Sequence, residues 1–216
     1  GVSNFTSTDS SQIFIEAKEV VATNQAEVTI SRGNSRVFFS SATVSNPKFM
    51  VEQGATVKVS NAAGVANTIE LRGASPEITV QSNGQLTVNS IGTASSIPPA
   101  DTTNNTIFLS GISPKITVSQ GSVFSVSTTL SKRGIQLVGD NAQLVVSDSK
   151  LSVTSVTGQR MSLIGSNPVL DLKNSQLEMN ATTGRGIYLQ GETPQVLMDN
   201  SQLLMTDTGA SQGMIL

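Results

Sequence analysis

Met161-Ser162-Leu163-Ile164-Gly165-Ser166-Asn167-Pro168-Val169-Leu170-Asp171-Leu172-Lys173-Asn174-Ser175-Gln176-Leu177-Glu178-Met179 holds three short alternations, separated by a Gly-x-x-Pro corner and by Asn174. The pairs Met161/Leu163, Leu170/Leu172 and Leu177/Met179 each put two apolar side chains on one face of an extended strand. Two side chains are too few to bury a strand alone, so partners must come from elsewhere in the chain.

They come from copies of the same unit. Apolar-x-apolar-x-Gly recurs at Ile69-x-Leu71-x-Gly73, Ile107-x-Leu109-x-Gly111, Ile135-x-Leu137-x-Gly139 and Ile187-x-Leu189-x-Gly191, with Val37-x-Phe39 as a degenerate earlier copy and Met214-x-Leu216 as the start of another. Three residues after the glycine stands Pro76, Pro114, Pro168 or Pro194, with Ala142 as the exception. The second alternation returns at Phe49/Val51, Ile78/Val80, Ile116/Val118, Leu144/Val146 and Val196/Met198, and the third at Val57/Val59, Leu86/Val88, Phe124/Val126, Leu151/Val153 and Leu203/Met205. A unit of three short strands is too small for a propeller blade, but stacked copies bury a continuous column. The pattern therefore predicts an all-β chain, a right-handed parallel β-helix of about six coils of three short strands, its hand set by the parallel crossover rule.

Three residues before each third alternation stand Gly54, Asn83, Gly121, Asp148, Asn174 and Asn200. These residue types tolerate positive φ, which a tight turn at a fixed place in every coil requires. The last three are expected to form a side-chain ladder beside a second file of Ser149, Ser175 and Ser201, both as scaffold. Residues 1–36 fit the unit poorly, although Ile13-x-Ile15 and Val28-x-Ile30 could be strands, and are read as an N-terminal cap with entry strands. Residues 37–216 are read as the β-helix, one domain in total. The end at Gly213-Met214-Ile215-Leu216 falls where a coil begins, so the chain reads as a piece of a longer one.

Composition narrows the chemistry. The 216 residues are 37% apolar, 13% charged and 4% aromatic, with no His and no Cys. Absence of His removes the usual general base and the commonest zinc ligand, and absence of Cys removes thiol nucleophiles and disulfides. A net charge of −2 gives no global attraction to nucleic acid, and no run of 18 apolar residues is present to span a bilayer as a helix. The first residues also lack the basic and apolar regions of a secretion signal. No cofactor is expected.

β-helices commonly carry polysaccharide lyases and hydrolases with clustered carboxylates. Here Asp171 and Glu178 each stand alone in their outward files, and Asp140 and Glu192 have Ser166 between them. Thr79 and Thr117 begin a threonine file of the ice-binding kind, which breaks at Val145 and Asp171. Candidate binding groups remain. Arg36, Arg133, Arg160 and Arg185, with Lys132 beside them, precede the first alternation, and the last three arginines could line an edge that meets an acidic polymer. Phe108 and Tyr188 share the outward file of the first alternation with Phe38, Glu70, Gln136 and Ser162, where rings could stack on sugars or be covered. The long connection Asn89–Thr106, with Ile97, Pro98, Pro99 and Asp101, must leave the coil as a protruding loop.

The segments Arg160–Leu177 and Arg185-Gly186-Ile187-Tyr188-Leu189-Gln190-Gly191 resemble the pectate-lyase-like adhesive domains of Gram-positive surface proteins, similar to the binding regions of serine-rich repeat adhesins. The likeness covers about Val37 to Leu216 and is one of repeat style. It implies a cell-wall-attached or secreted, non-catalytic module that binds host or matrix polysaccharide or glycoprotein. The expectation is an extended carbohydrate or glycoprotein ligand, with acidic polymers included. A polysaccharide-cleaving enzyme and a passive stalk are the alternatives.

Overall fold

The structure, a computed structural model, describes residues 2–7, 13–15, 19–32, 37–39, 46–61, 68–90, 105–128, 133–156, 160–181, 184–207 and 211–216. Within them the chain is entirely strands and turns. β1 (Val2–Ser7) is followed by β2 (Ile13–Ile15), β3 (Glu19–Ala22) and β4 (Glu27–Arg32), then by β5 (Val37–Phe39), β6 (Lys48–Val51) and β7 (Thr56–Asn61). The next coils are β8 (Ile69–Arg72), β9 (Glu77–Val80) and β10 (Gln85–Ser90), then β11 (Asn105–Ser110), β12 (Lys115–Ser119) and β13 (Val123–Thr128). β14 (Arg133–Val138), β15 (Gln143–Ser147) and β16 (Lys150–Ser155) lead to β17 (Met161–Ile164), β18 (Val169–Lys173) and β19 (Gln176–Ala181). The last are β20 (Gly184–Gln190), β21 (Gln195–Asp199), β22 (Gln202–Asp207) and β23 (Ser211–Ile215).

Every third strand pairs in parallel. Sheet one runs β8-β11-β14-β17-β20-β23, sheet two runs β3-β6-β9-β12-β15-β18-β21, and sheet three runs β1-β4-β7-β10-β13-β16-β19-β22, with β2 and β5 paired separately. This is a parallel β-helix. Its register repeats the sequence pattern: Ile69, Ile107, Ile135, Met161, Ile187 and Met214 are successive partners in one column. Leu144 faces Leu170 and then Val196, and Leu151 faces Leu177 and then Leu203. The inward side chains join in one core from Ala22 and Ile30 to Leu189.

The stretch read as a cap follows the same rule as the rest. β1 pairs with β4 and β4 with β7 in parallel register, and Val20 and Ala22 of β3 lie against Phe49 and Val51 of β6. These strands continue the coil without the Gly-x-x-Pro corner that marks later copies.

The corner glycines stand where backbones nearly touch. A Cβ on Gly111 would meet the Gly73 carbonyl oxygen, one on Gly139 the Gly111 oxygen, and one on Gly191 the Gly165 oxygen, each well inside contact distance. At the next corner all six anticipated turn residues have positive φ: Gly54 73°, Asn83 62°, Gly121 75°, Asp148 49°, Asn174 45° and Asn200 44°. Two turn forms appear there. Gln53-Gly54, Ser82-Asn83 and Gln120-Gly121 are left-handed pairs, whereas Asp148, Asn174 and Asn200 are single left-handed residues in a turn one residue shorter.

Candidate functional site

The later, shorter turns build a groove. On one rim the exposed Asn174 donates from Nδ2 to Asp148 Oδ1 at 3.1 Å, and Asn200 donates from Nδ2 to Asn174 Oδ1 at 3.0 Å, forming the expected ladder. On the other rim Val123, Lys150, Gln176 and Gln202, which open the third strands of four successive coils, stand in register. Between the rims lies the serine file. Ser149 Oγ accepts from Ser122 N at 3.1 Å, Ser201 Oγ accepts from Ser175 N at 3.1 Å, and Ser175 Oγ donates to Val146 O at 2.9 Å. The groove is open to solvent, about 460 Å³ in volume.

The serine file ends at a turn switch. Ser122 follows the last left-handed pair, and the preceding coil presents Gly84, whose N–H already closes its own turn on Gln81 O at 3.0 Å. Ser122 is 1% exposed, and its Oγ has no hydrogen-bond partner among the described residues. A buried hydroxyl without a partner costs about 1–3 kcal/mol.

The groove is nearly neutral. Among the described residues its lining carries one carboxylate, Asp148, and one ammonium, Lys150, which pairs with Glu178 at 2.8 Å.

The acids stay dispersed. Asp171 lies between Val145 and Leu197 in its file, and Glu178 between Ser152 and Leu204. Ser166 separates Asp140 from Glu192, donating to Asp140 Oδ1 at 3.3 Å and accepting at its carbonyl from Glu192 N at 2.9 Å. Among the described residues no three His, Cys, Asp or Glu gather where they could hold a metal ion. The threonine file is limited to Thr79 and Thr117, flanked by Met50 and Val145.

Of the expected basic edge the described residues place the side chain of Arg160, which is 0% exposed and does not project as a binding group. It belongs to a covered outer face of sheet one, together with Glu70, Phe108, Gln136 and Ser162, all buried. Arg72 pairs with Glu70 and sits 5.1 Å from the Phe108 ring centroid, and Asn105 Nδ2 donates to Gln136 Oε1 at 2.9 Å. Phe108, 5% exposed, is thus no sugar platform; an outward position on the coil is here a layer of packing. Tyr188, farther along the file, is half-buried. The side chains of Arg133 and Arg185, and all of Arg36, Lys132, Ile97, Pro98, Pro99 and Asp101, lie outside the described residues.

The sequence reading did not pick out the rim of Lys150, Gln176 and Gln202. Its signal was present: each stands two residues after the left-handed turn residue, so a rim and a turn file had to run side by side. No protein-family model, curated protein or solved structure matches this chain.

Proposed function

We propose that this chain is a non-catalytic binding module of a bacterial cell-surface adhesin, holding an extended carbohydrate or glycoprotein along the outside of its coils. The observation that carries the reading is a groove that crosses four coils, lined by Ser in three of them and by Asn and Gln in two, an elongated polar surface suited to a polymer. Such a surface gains affinity by engaging many equivalent units, with no deep pocket. The resemblance in repeat style to Gram-positive adhesive domains supports a cell-surface location, and the dispersed carboxylates weigh against the polysaccharide-cleaving alternative. A passive stalk is the second reading, favoured by the use of the turn side chains in coil-to-coil hydrogen bonds.

The test is an array of glycans and matrix glycoproteins probed with the whole chain. Binding to one class of polymer is expected, and a blank array would leave the stalk. Incubation with polygalacturonate and calcium is expected to give no unsaturated product absorbing in the ultraviolet. Turnover that vanishes in Asp171→Ala would replace the adhesin reading with the enzymatic one.

A further inference from the structure

We infer that the polymer is an uncharged, hydroxyl-rich glycan lying along the helix axis in the groove between Asn174/Asn200 and Gln176/Gln202, about one sugar per coil. The inference rests on the binding-module reading above and names its ligand chemistry.

Three observations lead to it. The first is charge. An anionic chain placed in the groove would lie beside Asp148, and Lys150, the one cation among the described lining residues, is already engaged by Glu178. Among the described residues no guanidinium lines the groove, so these residues do not supply the bidentate recognition that favours carboxylates and sulfates.

The second is the donor and acceptor set. A primary amide offers two N–H donors and a carbonyl acceptor, and a sugar hydroxyl both donates and accepts. The ladder uses one Nδ2 hydrogen of Asn174 and one of Asn200, so each amide keeps a second donor beside the groove, faced by the amides of Gln176 and Gln202. Coil-to-coil spacing of about 4.8 Å is close to the advance per sugar of an extended 1,4-linked hexopyranose chain, so hydroxyl groups recur along such a chain at nearly the spacing of the two Asn/Gln rungs.

The third is the groove floor, where Ser122, Ser149 and Ser175 of successive coils stand between the two rims. With no aromatic ring among the described lining residues, binding rests on hydrogen bonds and must grow with the number of rungs occupied.

The experiment titrates the whole chain with cello- and manno-oligosaccharides of two to six sugars, and with oligogalacturonates of the same lengths, by calorimetry. Affinity for a neutral series is expected to rise to about four sugars, the number of coils that line the groove, and then level off. It should change by less than twofold between 50 and 500 mM salt, because no charge pair is formed. The double variant Gln176→Met/Gln202→Met should weaken neutral binding at least tenfold with its melting temperature nearly unchanged, since both side chains keep their shape and lose their donors and acceptors. Tighter binding of the oligogalacturonates, steep loss of affinity with salt, no binding of either neutral series, or a double variant equal to the parent would overturn the inference. A positive polymer array alongside any of these would leave the binding-module reading standing; a blank array would remove that reading itself.

Discussion

At the scale of single residues, two kinds of position hold this molecule together: apolar side chains that stack inward, and glycines where no side chain fits. Leu163 is fully buried between Leu137 and Leu189, so Leu163→Ala removes both transfer energy and packing. A loss of about 2–5 kcal/mol is expected in denaturant unfolding; an unchanged midpoint would mean that the side chain is not inside. Gly139 is the opposite case. Its missing Cβ makes room for the Gly111 carbonyl and the Pro114 ring, so Gly139→Ala should lower stability by about 1–3 kcal/mol through overpacking and be visible as a lower melting temperature. Both positions were legible in the sequence, because a column residue and a corner glycine recur at fixed intervals. Arg160 and Phe108 were not. A period of two says which side of a strand faces the coil interior; it does not say whether the other side is buried as well, and both of these residues are.

At the scale of elements, the turn between the second and third strands shows what composition alone can specify. Gly, Asn and Asp at one register position announced positive φ, and all six residues adopt it. Their left-handed partners Gln53, Ser82 and Gln120 gave no such signal, since Gln and Ser carry little preference for that region and are held there by the stacked turns. Asn174 separates two contributions. Asn174→Gly keeps the backbone conformation and loses the ladder, whereas Asn174→Ala loses the ladder and also forces a Cβ into the left-handed region. The alanine variant is expected to be less stable than the glycine variant by about 1 kcal/mol in chemical denaturation. Equal stabilities would show that the side-chain ladder, and not the backbone geometry, governs the corner. The first strands were harder to read because Glu19-Val20-Val21-Ala22 has neither the glycine nor the proline that punctuates later coils, although it pairs in the same register.

At the scale of the whole molecule, stability is passed from each coil to its neighbours, as in any solenoid. Inward residues such as Ile116, Leu137 and Leu144 are sealed on both sides by adjacent coils, whereas Val196 and Leu203 near the end are only partly buried, and Met198 and Met205 beside them are exposed. Hydrogen exchange is therefore expected to be slowest in β12, β14 and β15 and fastest in β21 and β22, with protection graded along the axis. Uniform protection would point instead to a single cooperative unit. The single-residue turns carry a consequence for length. From Asp148 to Asn174 to Asn200 the step is 26 residues, and each step advances the stack by one strand spacing, about 4.8 Å. Excising residues 161–186 would bring Ile187 against Ile135, Val196 against Leu144 and Leu203 against Leu151, with Asn200 following Asp148 on the rim. The molecule is thus a ruler graduated in coils: its reach, and the number of sugar-sized rungs it presents, can change by whole units while every remaining contact keeps its kind.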